Sequence, residues 1–139
     1  MSPAIVTAIL LGCIATFEDI RHRSIANWIN VSGLAAGLVC HTAGRGLAGL
    51  AWSAGGAAVG FAVFLAVYCL GGLGAGDLKL MAAFGALLGP SGILIAALLA
   101  APIGAMVAAA CLVGNWRVRA IPYAPALTLG AWFALLGKG

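Results

Sequence analysis

Asp19 and Asp77 are the two residues of this chain whose type and placement could carry out chemistry. Each borders a long apolar run, where an ionisable side chain is costly unless it has a partner or a function. If the two carboxylates face each other, they cannot both ionise comfortably and share one proton. One then acts as general base on a water, and the other as general acid toward a carbonyl or a leaving amine. This arrangement is that of an aspartic protease, and it requires no metal and no other cofactor.

Each acid also has a simpler interpretation. Asp77 is predicted to open a helix, where it could cap free backbone N–H groups. Asp19 could form an ion pair with Arg21 or Arg23 in a solvated loop. Glu18 is the third acid of the chain, and on a helix it points about 100° away from Asp19. We therefore assign Glu18 to a solvated ion pair and exclude it from the site of the two aspartates.

Other kinds of site find little support. The chain has two histidines, His22 and His41, and the predicted topology separates them on opposite sides of the membrane, which argues against a nucleophile-histidine pair and against a metal site. The basic residues form no run or patch that would bind nucleic acid. No C-x-x-C pair occurs, so the cysteines are predicted to be small apolar side chains; they are Cys13, Cys40, Cys69 and Cys111.

The composition identifies the surroundings of these residues. Of 139 residues, 64% are hydrophobic and 7% are charged, and the mean hydropathy is +1.16. Soluble domains contain about 25% charged residues, so an ordinary soluble enzyme is excluded. One crossing of a bilayer takes about 20 apolar residues. We therefore predict an all-α, polytopic membrane protein with about six transmembrane helices in a single domain, 1–139.

Turn and charge signals divide the chain into six apolar runs. Arg45, within a glycine-rich stretch, separates the second run from the third, and Gly89-Pro90 separates the fourth from the fifth. The fourth run is short, and whether it spans the membrane fully is left open. The predicted runs are 3–17, 25–42, 47–70, 80–88, 93–113 and 121–136.

The basic residues predict the orientation. Loops one, three and five contain five of them, and the remaining loops and the C-terminal end contain two. The positive-inside rule then places the first group in the cytoplasm and both termini outside. All three acids fall on the cytoplasmic side. The five are Arg21, Arg23, Lys79, Arg117 and Arg119, and the two are Arg45 and Lys138.

Glycines recur at a spacing of four residues, which allows helix backbones to approach closely in lipid. With 21 glycines in the chain, such pairs arise easily by chance. We interpret them as packing sites within one chain rather than as a dimer interface. They are Gly33 and Gly37, Gly56 and Gly60, and Gly85 and Gly89.

Three segments resemble those of the type IV prepilin peptidases, which are membrane-embedded aspartic proteases. Residues 74–79, Gly-Ala-Gly-Asp-Leu-Lys, match the G-x-G-D-x-K signature of that family. Residues 19–27 resemble its first motif, an Asp followed by a basic stretch and Ile-Pro-Asn, although Ala26 stands where Pro is usual. Residues 121–126 are similar to a third family segment at the start of the last helix.

The resemblance implies a function and a set of site residues. The substrates would be prepilins or pseudopilins, cut between a short basic leader in the cytoplasm and the apolar helix of the mature pilin. Asp19 and Asp77 would be the catalytic pair. Lys79 would hold or tune that pair, and its alternative is a charge anchor on the cytoplasmic side. The other supporting residues would be Gly74, Gly76, Arg21 and Asn27.

The resemblance also suggests a branch and a location. Larger members carry a cysteine-rich cytoplasmic extension and methylate the new pilin N-terminus, whereas this chain resembles the minimal branch that serves Flp or Tad pili. Its partners would be the substrate peptide and the lipid bilayer of the bacterial inner membrane, with no nucleic acid. Two alternatives remain: a noncatalytic scaffold of a pilus or secretion machine, and a small proton-coupled carrier, since paired carboxylates also relay protons.

Overall fold

Four helices make up the computed structural model, which describes residues 2–22, 24–70, 74–114 and 124–137. They are α1 (Pro3–His22), α2 (Asn27–Cys69), α3 (Ala75–Val113) and α4 (Ala124–Leu136). Among the described residues, α1, α2 and the Ala75–Met106 part of α3 are long and apolar enough to cross a membrane, and α4 is a shorter apolar helix. Of the residues used to predict orientation, Arg23, Arg117, Arg119 and Lys138 lie outside the described residues.

Helix α1 continues to His22, beyond Phe17, where the first predicted apolar run ends. Its last turn contains the basic residues Arg21 and His22. A positive charge at this position interacts favourably with the negative C-terminal end of the helix dipole. One face of α1 is buried along its whole length, at the three- and four-residue spacing of a helix stripe. The aspartate at position 19 is therefore the last member of a packed stripe and is not in a loop. The stripe consists of Ala4, Ala8, Leu11, Gly12, Ala15 and Asp19.

Helix α2 covers the second and third predicted runs and changes direction at Gly46. This residue has φ +61°, a backbone conformation that glycine adopts readily. A Cβ atom built on Gly49 would overlap the carbonyl oxygen of His41. In a straight helix these two residues would lie about 12 Å apart along the axis. The chain therefore folds back on itself here, and we refer to 27–45 as α2a and to 47–69 as α2b.

Helix α3 covers the fourth and fifth predicted runs and breaks in the same way at Gly89, which has φ +76°. We refer to 75–88 as α3a and to 90–113 as α3b. Pro90 follows the break directly. It fixes its own φ and has no N–H to continue the helix ladder. Both glycine turns lie where the sequence predicted breaks between apolar runs.

Helices α2a and α3a run side by side in the same direction. A Cβ on Gly33 would lie 3.2 Å from Cβ of Ala83, and one on Gly37 would lie 2.8 Å from Cβ of Ala86. Both residue numbers rise together along this contact, so the helices are parallel. The absence of side chains at the two glycines allows the backbones to approach this closely.

Helix α2b lies against α3a in the opposite direction. A Cβ on Gly60 would lie 2.5 Å from the carbonyl oxygen of Met81, whereas a Cβ on Gly56 would overlap the carbonyl oxygen of Gly85. Residue numbers rise along α2b as they fall along α3a, so these segments are antiparallel. The interpretation of the glycine pairs as packing sites within the chain is confirmed.

Helix α3a is the centre of the molecule. Apart from Ala82, which is half-buried, every residue from Leu80 to Gly89 is buried, so this segment is enclosed on all sides. Its 14 residues rise about 21 Å, less than the bilayer core of about 30 Å. The short fourth run of the sequence is therefore a core helix surrounded by the other segments.

Two side chains of α2 satisfy carbonyl groups near the break in α3. Pro90 cannot donate to the carbonyl of Ala86 four residues earlier. The hydroxyl of Ser53, which is fully buried, donates to that oxygen at 2.8 Å. Nε2 of His41 lies 2.9 Å from the carbonyl oxygen of Leu87. Unsatisfied backbone groups are costly in lipid, so these bonds stabilise the break.

We expect Ser53→Ala to lower the free energy of unfolding by about 1–2 kcal/mol, because it leaves the buried carbonyl of Ala86 without this donor. The matched control is Ser32→Ala, since the Ser32 hydroxyl is exposed and bonds a carbonyl of its own helix. Reversible unfolding in mixed detergent measures both variants. Equal stability of the two variants would contradict the assigned role of Ser53.

Helix α4 packs between α1 and α3b. The hydroxyl of Thr16 donates to that of Thr128 at 3.2 Å, and a Cβ on Gly12 would lie 2.9 Å from Nε1 of Trp132. Residue numbers rise in α1 as they fall in α4, so these helices are antiparallel. The N-terminus of α4 therefore lies at the same end of the molecule as Asp19.

Candidate active site at the ends of α1 and α3

Asp19 lies in the last turn of α1 and is 7% exposed. The backbone N–H of Ala124, the first residue of α4, donates a hydrogen bond to its carboxylate. The amides at a helix N-terminus have no partner within their own helix, and they favour a negative charge. The antiparallel packing of α1 and α4 thus supplies Asp19 with a donor.

Asp77 is the third residue of α3 and is 8% exposed. The backbone N–H of Gly74, directly before the helix, donates to its carboxylate. An acidic side chain that reaches back in this way is one half of a capping box. The capping interpretation of Asp77 therefore describes part of its role.

The two aspartates also act on each other. Asp19 lies within electrostatic range of Asp77, so that two negative charges there would repel each other. Oδ2 of Asp19 and Oδ1 of Asp77 are buried and have no hydrogen-bond partner among the described residues. Each carboxylate thus accepts a hydrogen bond from a backbone N–H and has a second oxygen that could accept another. A water molecule or a peptide N–H is the kind of group that donates a hydrogen bond to such oxygens.

The ion pairs predicted for the first loop differ from those in the structure. Glu18 pairs with His22, with Oε2 2.9 Å from Nδ1, rather than with Arg21. Because α1 extends to His22, these two residues lie four apart on one helix face. The guanidinium of Arg21 lies over the ring of Phe17, 5.8 Å from its centroid, and is exposed. The ion pair with Arg21 is thus not the environment of Asp19, and Arg23 lies outside the described residues.

The glycines of the second motif lie close to Asp77 and to the first motif. A Cβ on Gly76 would lie 3.3 Å from Cβ of Ile25, and one on Gly74 would lie 3.5 Å from Oδ2 of Asp77. A side chain at Gly76 would press on the segment that joins α1 to α2. This glycine therefore lets the two motifs approach each other.

Lys79 and Asn27 join the same two motifs. Nζ of Lys79 donates to Oδ1 of Asn27 at 3.0 Å, an exposed hydrogen bond between α3 and the first residue of α2. The departure from the family pattern at Ala26 leaves this bond in place. The structure thus brings together Asp19, Asp77, Gly74, Gly76, Lys79 and Asn27, and it leaves Arg21 on the outer face of α1.

Two polar groups, one that bonds Asp19 and one buried in α2, were missed by the sequence analysis. The amide of Ala124 is a backbone donor, which no side-chain pattern reveals. Asn30 in α2 is 5% exposed, and neither its Oδ1 nor its Nδ2 has a partner among the described residues. A polar amide inside the apolar run 25–42 was the available signal. In the described ranges no cluster of three or more His, Cys, Asp or Glu could hold a metal ion.

Comparison with known families gives a match that contains both aspartates. The family model of the type IV leader peptidase family matches residues 5–109. The chain belongs to the type IV leader peptidase family. Membership in this family, with the long apolar helices, indicates a leader-peptidase-like protease of a membrane. Comparisons with curated proteins and with solved structures found no match.

The leader peptidase match covers α1, α2 and most of α3. It ends before α4, whose first amide contacts Asp19. The third segment of the sequence analysis, 121–126, lies beyond the match, and its residues 121–123 lie outside the described residues.

Proposed function

We propose that this leader peptidase is an aspartic endopeptidase that removes the short cytoplasmic leader from Flp-type prepilins or pseudopilins. The observation that carries the proposal is the pair of buried carboxylates, Asp19 and Asp77, which lie within electrostatic range of each other and each have one oxygen without a partner in the part of the chain that the structure describes. The two aspartates lie in the two segments that resemble the family's motifs, and both fall within the residues that the family model matches, 5–109.

In the proposed reaction, the two carboxylates share one proton at the start. The ionised carboxylate takes a proton from a water as the water oxygen attacks the carbonyl carbon of the scissile peptide bond. The protonated carboxyl gives its proton to the carbonyl oxygen. When the tetrahedral intermediate collapses, the C–N bond breaks and the leaving nitrogen receives a proton from the first carboxyl. The second carboxylate takes back a proton from a hydroxyl of the intermediate as the new carbonyl forms, so the pair again shares one proton.

We further propose that α2 and α3 each enter the membrane and return within it, which gives six membrane segments, of which the short α3a is enclosed by the others. The reversals at Gly46 and Gly89 support this topology, since each divides a long helix into antiparallel parts. Both termini would then lie outside, and the aspartate pair would lie at the cytoplasmic face of the bacterial inner membrane. The scissile bond of a prepilin would lie at this boundary.

Co-expression in bacterial membranes with a panel of small prepilins tests the proposal, with mass spectrometry of the pilin N-terminus as the readout. The panel includes pilins encoded beside this protein. We expect the intact protein to remove the leader and the Asp77→Asn variant to leave it in place. If a folded, inserted protein cuts no prepilin, the endopeptidase proposal is wrong and a scaffold or carrier is favoured. An added methyl group on the product would show a second activity.

A further inference from the structure

Asn30 is the buried polar side chain that the proposed reaction does not use. It is 5% exposed, and both polar atoms of its amide lack a partner among the described residues. Buried amides in native proteins are almost always hydrogen-bonded, and an exception calls for an explanation. Two such atoms on one side chain, in a site where each aspartate also has an oxygen without a partner among the described residues, indicate a polar space that a ligand fills.

The helix faces place Asn30 between the helices that carry the two aspartates. One turn along α2, Gly33 faces both α1 and α3a, because its Cβ would contact Leu11 on one side and Ala83 on the other. Asn30 shares this face, being three residues away. One turn in the other direction, Asn27 bonds to α3.

The same contacts give the depth of Asn30. Gly76, which directly precedes Asp77, lies against Ile25. Asn30 lies three residues beyond Asn27, the first residue of α2, which is a rise of about 4.5 Å along the helix. The amide therefore lies about one turn further into the apolar region than the carboxylates, on the side toward which the apolar helix of a bound prepilin would run.

A bound prepilin would have backbone groups without hydrogen-bond partners at this position. Its mature part is an apolar helix, and a peptide bond must leave the helix to be attacked. The next peptide groups then lose their helical partners in an apolar region, where unpaired N–H and C=O groups are costly. The side-chain amide of Asn has one acceptor oxygen and a donor NH₂, which complement a peptide N–H and C=O.

We infer that Asn30 binds a backbone peptide group of the substrate, just C-terminal to the scissile bond, through Oδ1 and Nδ2. This inference rests on the proposed endopeptidase function. It makes Asn30 a substrate-binding residue that keeps the cleaved segment unwound, and it adds a third side chain to the site of Asp19 and Asp77.

Asn30→Leu tests the inference, because leucine has a similar size and no polar atoms. We expect kcat/KM for prepilin cleavage to fall about tenfold or more, while the melting temperature stays the same or rises, since unpaired buried polar atoms are removed. If the role of Asn30 were purely structural, the Asn30→Leu variant would lose stability and activity together, and that result would overturn the inference. The control is Ser32→Ala on the exposed face of α2. If Asn30→Leu does not fold, Asn30→Ala provides the same comparison.

Substrates with one altered peptide group provide the second test. Synthetic prepilins carry an ester in place of the amide, one at a time, at the first three bonds after the cleavage site. We expect one ester to slow the intact protein about tenfold and to cause no further loss in Asn30→Leu. Independent losses at every position would overturn the inference. Cleavage of the unmodified prepilin by the intact protein tests the proposed function separately.

Discussion

Replacing either aspartate alone is expected to abolish leader removal while the protein remains folded in the membrane. In the proposed reaction one carboxyl must accept a proton as the other donates one, so neither can perform both steps. Asp19→Asn and Asp77→Asn should each lower kcat by at least about 10³-fold, and the double variant should be no worse than either single variant, because the pair acts as a unit. Prepilin cleavage, followed by mass spectrometry of the N-terminus, measures all three.

Asparagine is the right replacement because it keeps the local hydrogen bonds. Its side-chain oxygen still accepts from the amide of Ala124 at position 19 and from that of Gly74 at position 77. It also removes the interaction between two buried charges. The melting temperature in detergent should therefore not fall, which separates a loss of chemistry from a loss of structure.

Glu18→Gln is the matched control for both variants. Glu18 is adjacent to Asp19, yet its side chain bonds His22. Its replacement removes one negative charge at the same end of α1 and should leave cleavage unchanged within about twofold, the size expected of an exposed pair. Normal processing by Asp19→Asn, or an equal loss of cleavage in Glu18→Gln, would refute the proposed catalytic pair.

The sequence could predict the segments and the two aspartates because both depend on local chemistry. Apolar runs end where glycine and proline interrupt them, and Gly46 and Gly89 are the turns within α2 and α3. An acid beside an apolar run stands out against a composition with three acids in 139 residues. These signals are readable without knowledge of the packing.

The remaining features depend on tertiary contacts. Helix α1 extends five residues beyond the first predicted apolar run, and the Glu18–His22 pair in this extension exists only once the helix continues. The amide that Ala124 offers to Asp19 is a backbone group 105 positions away, and it becomes a partner only through the antiparallel packing of α1 and α4. The roles of Ser53 and His41 follow from the break in α3, since they bond carbonyls near it.

The position of Asp77 depends on how closely α3a is held by its neighbours. Without a hydrophobic force between helices in lipid, close packing and hydrogen bonds have to hold them together. Gly56 and Gly85 form the closest of these contacts, because a Cβ on either residue would overlap the carbonyl oxygen of the other. Asp77 is therefore positioned from a distance by residues without side chains.

Gly56→Ala is expected to prevent the protein from folding stably. Its new Cβ would overlap the carbonyl oxygen of Gly85 and lie 2.7 Å from Cα of Gly89. Both obstacles are backbone atoms, which cannot move away by a side-chain rotation, so the helices themselves must separate. Overpacking usually costs about 1–3 kcal/mol, and backbone obstacles place this variant at or above the upper limit. The yield of folded protein in detergent and its free energy of unfolding measure the effect.

Gly55→Ala is the control because it makes the same chemical change one residue earlier. There the nearest atom to a new Cβ is Cγ of Pro90 at 3.5 Å, an ordinary contact. Alanine is also the better helix former by about 1 kcal/mol, so this variant should be as stable as the parent or more so. A difference of at least about 3 kcal/mol between the neighbouring variants would come from the contact of α2b with α3a. Equal stability of the two would show that this contact does not hold α3a in place, and the structural basis for the position of Asp77 would have to lie in the other packed faces of α3a.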